Sequence, residues 1–186
     1  MKKILVHACC GVCAFWVGEL LKKEFKEVVF YFYNPNIYPK EEWLKREKAC
    51  LKVAKILGTG FVKEKYNPLK FYEKIKGFEK EKEGGKRCEI CFRLRLEKTA
   101  IFGKKNGFPI FTTTLSISPY KNAELINKIG KELENKYKIK FKEADFKKKD
   151  GFKKTISLAK KYQIYRQNYC GCIFSLKEKL SKLKSS

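Results

Sequence analysis

Eight cysteines offer the clearest chemistry in this sequence, and seven of them fall into three groups. The groups are Cys9, Cys10 and Cys13; Cys88 and Cys91; and Cys170 and Cys172. Thiolates bind soft metals and carry out redox chemistry, whereas disulfide frameworks belong to small secreted proteins. The eighth, Cys50, shares a helical face with Trp43, Ala54 and Leu57. We therefore predict that Cys50 is a small core residue and that the grouped cysteines carry metal or redox chemistry.

The first two groups together supply enough thiolates for a four-sulfur metal site. A two-residue gap, as between Cys88 and Cys91, lets both sulfurs turn toward one metal centre. Zinc would pair these two with Cys10 and Cys13, but 74 residues separate the halves, far more than in a zinc ribbon. An iron–sulfur cubane can instead use the vicinal pair Cys9 and Cys10. This chemistry favours iron–sulfur over zinc only slightly. A thiol–disulfide motif in the first group would leave Cys88 and Cys91 without a role.

The third group has only Gly171 between its two cysteines. This spacing is too tight to chelate one metal comfortably, and a disulfide closed over one residue is strained and easily reduced. Cys170 and Cys172 are therefore interpreted either as thiols that cycle between reduced and oxidised forms, or as two buried thiols in a glycine turn.

Net charge points to a polyanionic partner. Lys and Arg number 44 against 20 Asp and Glu, which gives a formal charge of +24. Such a surface attracts nucleic acid, although abundant charge is also typical of heat-adapted proteins. Arginine is scarce, and four of the five arginines lie within four residues of a cysteine motif. Because arginine binds phosphate bidentately and stacks on bases, we predict RNA contacts from Arg87, Arg93, Arg95 and Arg166.

Strands alternating with helices must position these groups. Apolar runs predict strands at 3–7, 28–33, 61–62, 110–114 and 139–141. Periodicity predicts helices at 14–26, 39–57, 69–82, 91–106, 122–137 and 152–162, with a C-terminal helical cysteine segment from about 173. The alternation indicates an α/β fold, Rossmann-like or HUP-like, with a parallel twisted sheet and helices on both faces. The first cysteines follow strand one, where such sheets bind ligands.

Length and composition predict one domain over residues 1–186, and the N-terminus fits neither a signal peptide nor a membrane span. We therefore expect a soluble cytoplasmic protein without a membrane partner, and a monomer.

Several separated motifs, in one order, resemble the QueH-type epoxyqueuosine reductases. The match extends over nearly the whole chain and comprises residues 7–13, 33–37, 87–96, 112–121, 145–148 and 165–175. One departure is Gly11-Val12, where the family is associated with Ala-Pro; it removes no cysteine. The resemblance implies an oxidoreductase for the last step of queuosine biosynthesis, a tRNA-processing reaction. The reaction is two-electron removal of the epoxide oxygen from epoxyqueuosine at the wobble position of a tRNA anticodon.

The resemblance also implies cofactors and site residues. It assigns a [4Fe-4S] cluster to Cys9, Cys10, Cys88 and Cys91, and a redox-active disulfide to Cys170 and Cys172. A separate mononuclear iron near the cluster is assigned to Cys13 and Asp145, so Asp145 joins Cys170 and Cys172 as a catalytic candidate. The implied partners are tRNA containing epoxyqueuosine and an unknown electron donor.

Other interpretations remain open at this point. Asp145 is nearly as well explained as a turn or helix cap. His7 directly precedes the cluster cysteines and is a candidate donor to a cluster sulfur or a substrate oxygen, but it is at least equally well explained as a buried strand-end histidine. Tyr120, Tyr165 and Tyr169 are candidates for stacking on extruded bases, or for the core. Rival functions are a zinc-stabilised RNA-binding protein without catalysis and a thiol–disulfide oxidoreductase.

Overall fold

A five-stranded parallel sheet forms the centre of the protein, as seen in a computed structural model that describes residues 2–184. The strand order is β3-β2-β1-β4-β5. The strands are β1 (Lys3–His7), β2 (Glu27–Phe32), β3 (Gly60–Lys63), β4 (Ile110–Thr113) and β5 (Lys140–Phe141). Every pairing between neighbouring strands is parallel. The predicted α/β fold with a parallel sheet is therefore confirmed.

Helices connect the strands and cover the sheet. They are α1 (Gly11–Glu24), α2 (Lys40–Leu57), α3 (Leu69–Ile75), α4 (Lys86–Lys105), α5 (Ala123–Tyr137), α6 (Gly151–Lys161) and α7 (Ile173–Lys184). A 3-10 helix (Thr114–Ile117) follows β4. Helix α1 packs against α2 and α6, and α4 packs against α5. Because crossovers are right-handed and the strand order runs in opposite directions from β1, these two sets of helices lie on opposite faces.

Strand β1 lies in the centre of the hydrophobic core. Strand β1 contributes Ile4, Leu5 and Val6, all fully buried, as expected of a central parallel strand covered on both faces. None of the described helices has the length and apolar composition needed to cross a membrane.

The strand order reverses direction between β1 and β4, and this switch point positions the first cysteines. Chain segments that leave β1 and β4 diverge here and open a crevice at the carboxyl edge of the sheet. Cys9 and Cys10 follow β1, and the backbone N–H of Cys9 donates to the hydroxyl of Thr114 after β4 at 3.4 Å. The first cysteine group therefore lies where parallel α/β sheets place their ligands.

Helix boundaries differ from the predicted ones by three or more residues at three points. Helix α1 begins at Gly11 rather than at 14, because Cys10 acts as its N-cap. Helix α4 begins at Lys86 rather than at 91, after Gly85 as N-cap. Helix α3 ends at Ile75 rather than at 82, and Gly77 follows it with a φ of 87°. As a result, Cys13 and Cys88 belong to the first turns of helices and not to loops, and Cys91 lies in the second turn of α4 rather than at its start.

Gly11 explains the departure from the Ala-Pro that is associated with the family. A Cβ atom at this position would lie 2.6 Å from the carbonyl oxygen of Ala49 in α2. Only glycine lets the two backbones approach this closely without a shift. The start of α1, and the cysteines on it, are therefore held directly against α2.

Candidate metal centre

Three sulfurs meet at the N-terminus of α1. The sulfur atoms of Cys9, Cys10 and Cys13 all lie within 4.8 Å of one another, and those of Cys9 and Cys10 are 3.8 Å apart. All three side chains are buried. Within residues 2–184, no other set of three or more His, Cys, Asp or Glu side chains comes together so closely. The predicted first group is therefore a preassembled set of soft ligands.

Hydrogen-bond donors point at the sulfur of Cys10. The backbone N–H of Cys13 donates to it at 3.3 Å, and the side-chain amide of Gln167 donates at 3.0 Å. The hydroxyl of Thr114 lies 3.6 Å from the sulfur of Cys9. Since the N-terminal end of a helix also carries partial positive charge, this environment favours negatively charged sulfur.

The pKa values of the three thiols shift in different directions because the thiols are buried and close together. Side-chain hydrogen bonds from Cys10 and Cys13 hold the pKa of Cys9 well below its usual range. Burial raises the pKa of Cys10 to about 12, and side-chain hydrogen bonds to Cys10 and Cys9 raise the pKa of Cys13. Only one of the three thiols ionises readily alone, so a bound cation is needed to hold several as thiolates at once.

The second group occupies the first two turns of α4, with Cys88 third and Cys91 sixth in the helix. The backbone N–H of Gly84 donates to the sulfur of Cys88 at 3.2 Å. Cys88 is partly exposed, whereas Cys91 is buried and burial raises its pKa to about 12. The sulfur of Cys88 therefore lies at a helix N-terminus, as those of the first group do, and Cys91 lies about one turn further along α4. Cys88 and Cys91 stay outside the 4.8 Å group formed by the first three sulfurs.

A pocket joins the second and third cysteine groups. Its volume is ≈ 140 Å³, and its lining includes Cys88, Cys91, Cys170 and Cys172. One water molecule needs about 10–15 Å³ by the same kind of measure, so the pocket has room for a group of many atoms. Asn36 also lines it, with a buried Oδ1 that has no hydrogen-bond partner among the described residues.

Two cations lie within electrostatic range of the cysteine groups. Arg95 on α4 is buried, and no carboxylate lies within ion-pair distance of it in the described part of the chain. Burial lowers the pKa of its guanidinium, but nearby sulfurs raise it by more; they belong to Cys91, Cys9, Cys170 and Cys88. Arg95 is therefore within electrostatic range of all three groups.

The pKa of Lys121, which follows the 3-10 helix after β4, is subject to the same two opposing effects. Burial lowers the pKa of its ammonium, but the sulfurs of Cys170, Cys9 and Cys13 raise it by more. Both Lys121 and Arg95 line the pocket. Arg95 is buried and Lys121 partly so, and a buried cation without a carboxylate partner is costly unless an anion compensates it. The site therefore calls for a negatively charged occupant.

Arg46 holds the third group in place, a role that the sequence did not reveal; we call its contacts with Glu42, Tyr169 and Cys170 the Arg46 clamp. Arg46 on α2 is buried and forms an ion pair with Glu42 at 2.7 Å. Its guanidinium also donates to the carbonyl oxygens of Cys170 at 2.8 Å and Tyr169 at 3.1 Å. Gly171 has a φ of 129°, and a Cβ there would lie 2.8 Å from Arg46. Glycine is required between the two cysteines for both reasons.

Cys170 and Cys172 are free thiols in this structure, as are the other six cysteines. Cys170 is partly exposed and lines both the pocket and a separate outer groove. Cys172 is buried and lines the pocket. The two thiols therefore differ in how they are reached from outside.

Asp145 and His7 have separate surroundings. Asp145 is not part of the group of three sulfurs. Its Oδ1 lies 3.5 Å from the ammonium of Lys147 and has no hydrogen-bond partner among residues 2–184.

His7 is buried, with Nδ1 3.0 Å from the hydroxyl of Thr113 and Nε2 3.2 Å from the carbonyl of Tyr33. Because burial lowers the pKa of His7 to about 4 and both ring nitrogens are engaged, the imidazole is a neutral structural group.

The four arginines predicted to contact RNA occupy different environments. Arg87 and Arg95 are buried and line the pocket. Arg93 lies nearer the surface and pairs with Glu132 at 2.6 Å, while Arg166 is exposed. RNA contact by these four arginines stays a prediction. Arg87 and Arg95 can contact only a group that enters the pocket.

The three tyrosines predicted as stacking candidates also occupy different environments. Tyr165 donates from its hydroxyl to Glu42 at 2.6 Å, and the hydroxyl of Tyr169 donates to the carbonyl of Tyr38, so both tie the C-terminal segment to the scaffold. Tyr120 is 83% exposed and lines the pocket. Of the three, Tyr120 is the one placed to stack on a base.

Asn34 is a further residue whose role sequence reasoning missed. It is buried, and its side-chain amide donates to the carbonyl of Ala8 at 2.9 Å. It thereby fixes the backbone directly before Cys9. The sequence Asn34-Pro35-Asn36 predicts a turn, but it does not predict that Asn34 would bind the backbone at Ala8.

The donor set fits a cluster better than a single hard ion. Sulfur is the only metal-binding atom type in the compact group, and the four cysteines of the other two groups line the pocket. Thiolate sites select zinc, copper(I) or iron–sulfur clusters, and carboxylate sites select magnesium, calcium or manganese. The uncompensated Arg95 and Lys121 match the net negative charge of a cluster held by four thiolates.

Comparisons with known proteins match nearly the whole chain to one family. A family model described as "Epoxyqueuosine reductase QueH" matches residues 4–178. A protein of that name from Staphylococcus epidermidis is 39% identical, with 93% of this chain and 76% of the relative covered. One from Thermotoga maritima is 40% identical, with 98% and 94% covered.

A solved structure shares the fold. It is described as the predicted subunit of a tRNA methyltransferase from Methanocaldococcus jannaschii. The TM-score is 0.58 at 16% sequence identity, with 86% of this chain and 75% of that chain covered. This likeness supports the parallel α/β architecture alone.

Proposed function

The chain belongs to the epoxyqueuosine reductase QueH family, and we propose that it converts epoxyqueuosine to queuosine at the wobble position of tRNA, the last step of queuosine biosynthesis. The reaction removes the epoxide oxygen and leaves an alkene, so it consumes two electrons and two protons and releases water. The observation that carries the proposal is a pocket large enough for a group of many atoms, which two cysteine groups line together with the buried Arg95, and the charge of Arg95 is also within electrostatic range of Cys9 in the first group.

Cys9, Cys10, Cys88 and Cys91 are the proposed ligands of a [4Fe-4S] cluster. A reductase needs a redox-active centre, and zinc has no redox chemistry, which favours an iron–sulfur cluster over zinc at this all-sulfur site. When bound, the cluster supplies electrons one at a time. Arg95 and Lys121 compensate negative charge between the groups, and the helix N-termini of α1 and α4 stabilise the thiolates.

Cys170 and Cys172 are proposed as the two-electron store of the same site. Oxidation of this dithiol to a disulfide releases two electrons and two protons, which matches what the epoxide consumes. Both thiols line the pocket with Cys88 and Cys91. Gly171 and the Arg46 clamp shape the loop that carries them. The strained one-residue ring favours an easily reduced disulfide.

We expect an external thiol to react at Cys170 and not at Cys172, because only Cys170 lines the outer groove as well as the pocket. In the regenerating step, a donor thiolate attacks the sulfur of Cys170 and Cys172 leaves as a thiolate; a second donor thiol then resolves the mixed disulfide. With glutathione disulfide as the probe, Cys172→Ser should form an adduct about tenfold faster than Cys170→Ser. Mass spectrometry of digested protein locates the adduct.

The buried Cys50 serves as an internal control and should stay unmodified. Equal adduct rates in the two variants would show that the outer groove gives no preferential access to Cys170.

For tRNA binding we propose electrostatic attraction by the strongly basic surface together with specific contacts at the pocket. The formal charge of +24 supports the first. Exposed Arg166 and Tyr120 support the second, as a phosphate contact and a stacking platform. Inside the pocket, the unpartnered Oδ1 of Asn36 is available to accept a hydrogen bond from the modified base.

A second iron held by Cys13 and Asp145 stays a prediction. Cys13 is available, since the proposed cluster does not use it. The Oδ1 of Asp145 has no hydrogen-bond partner within residues 2–184 and only an ion pair with Lys147 at 3.5 Å, which a metal cation would replace, but Asp145 lies outside the sulfur group.

Anaerobic incubation of reconstituted protein with epoxyqueuosine-containing tRNA and a reductant tests the proposed function. We expect queuosine on nucleoside analysis, and iron and sulfide on metal analysis. Protein that carries a full cluster but forms no queuosine would contradict the proposed reaction. Colourless protein that holds zinc and binds tRNA without turnover would instead favour a non-catalytic RNA-binding role.

A further inference from the structure

The side chain of Gln167 contacts a proposed cluster ligand from the far end of the chain. Its Nε2 lies 3.0 Å from the sulfur of Cys10, across 157 positions of sequence. Its Oε1 is buried and has no hydrogen-bond partner within residues 2–184. A thiolate only accepts hydrogen bonds, so the amide must present its N–H₂ and not its oxygen to Cys10. The contact is thus an N–H···S hydrogen bond to one ligand of the cluster.

The segment that carries Gln167 is anchored on both sides of it. We call residues 165–171 the strap. Before Gln167, the hydroxyl of Tyr165 donates to Glu42 at 2.6 Å. After it, Arg46 binds the carbonyl oxygens of Tyr169 and Cys170, and the carbonyl of Gly171 accepts from the N–H of Tyr38 at 2.8 Å. The amide is therefore held in place at little further entropic cost.

We infer that Gln167 is a positioning residue that makes the cluster easier to reduce by donating a hydrogen bond to the Cys10 thiolate. The reduced cluster carries one more negative charge than the oxidised one, so a donor at a ligand sulfur stabilises the reduced form more. Hydrogen bonds to ligand sulfurs are among the factors that set iron–sulfur potentials. The inference rests on the proposed function, because it takes Cys10 to be a cluster ligand.

Redox titration of Gln167→Leu, followed by electron paramagnetic resonance, tests the inference without substrate or tRNA. Anaerobically reconstituted protein with full iron and sulfide is compared with the unsubstituted chain. We expect the reduction equilibrium constant to fall about tenfold, which for a one-electron couple is a midpoint about 59 mV more negative. Gln167→Met keeps the side-chain length without the donor and should shift the midpoint equally. Asn168→Ala is the control, since Asn168 is the exposed neighbour on the strap; its midpoint should not move.

A second measurement uses the unsubstituted protein and does not depend on the variants folding. The chain has only two glutamines, Gln163 and Gln167. With glutamine side chains labelled by ¹⁵N, the amide signal of Gln167 should be shifted or broadened by the cluster, while that of exposed Gln163 stays sharp. Two sharp signals, or a full cluster with an unchanged midpoint in both Gln167 variants, would overturn the inference alone. A chain that binds no iron would overturn the proposed function as well.

Discussion

Cys10→Ser and Cys91→Ser should each prevent assembly of the [4Fe-4S] cluster and lower epoxide reduction by about 100-fold or more. Loss of even an outer partner of a metal ligand commonly costs 10–100-fold, and a missing ligand removes more. The two cysteines belong to different groups, on α1 and α4, so parallel losses would show that both groups bind the same cofactor. Iron and sulfide content, visible absorption and nucleoside analysis after anaerobic reconstitution give the measurement.

Cys50→Ala is the matched control for these variants. Cys50 is buried in α2 and close enough to Cys10 and Cys9 for their charges to raise its pKa, after burial as the main cause. It therefore shares the environment of the ligands without being one of them. We expect this variant to keep its iron and its activity. If Cys91→Ser retained four irons and normal turnover, the shared site between α1 and α4 would be refuted.

Local sequence patterns predicted the scaffold well because a parallel strand buried on both faces leaves a strong signal. Ile4-Leu5-Val6 is such a run, and β1 extends over the predicted residues 3–7. The errors occurred where a side chain or a single glycine decides a helix boundary. Cys10 is not a usual capping residue, yet its sulfur accepts from the N–H of Cys13 and starts α1 three residues early.

The cysteines of the site were visible in the sequence, but the residues that hold them were not. Spacing alone identifies a pair such as Cys88 and Cys91. By contrast, Arg46 contacts the carbonyl of Cys170 across 124 positions, and Gln167 contacts Cys10 across 157. Such contacts exist only after the chain has folded, and no local pattern encodes them. The scarcity of arginine was the one available signal for Arg46, and it was read as a sign of RNA binding near cysteines.

Arg46 also illustrates why burial changes what a charged residue does. The four predicted RNA-binding arginines were chosen for their proximity to cysteines in sequence, which does not distinguish a surface position from an interior one. Arg87 is buried, stacks over Phe174 at 4.3 Å and donates to the carbonyl oxygen of Glu79 at 2.8 Å. Its planar fork thus organises backbone around the pocket, in the same manner as Arg46 organises the strap.

Arg46→Met is expected to destabilise the folded protein by about 3–5 kcal/mol, because it leaves the Glu42 carboxylate buried without its partner. Two carbonyl oxygens, of Tyr169 and Cys170, lose their donors as well. For a chain of this size the melting temperature should fall by roughly 6–20 °C. Thermal and denaturant unfolding of the protein without cluster, under reducing conditions, measure the change, so that loss of the cofactor does not contribute.

Two further variants separate the charge from the packing. Glu42→Gln combined with Arg46→Met removes both charges of the pair, and we expect it to recover part of the loss, since an unpaired buried charge costs more than an absent pair. Lys70→Ala breaks the exposed pair of Lys70 with Glu73, which are 58% and 63% exposed, and should change stability by less than about 1 kcal/mol. Because the strap depends on the same guanidinium, Arg46→Met should also weaken the contact of Gln167 with Cys10. A single Arg46 variant as stable as the unsubstituted protein would show that the clamp contributes nothing to the fold, and the fixed position of Gln167 would then need another cause.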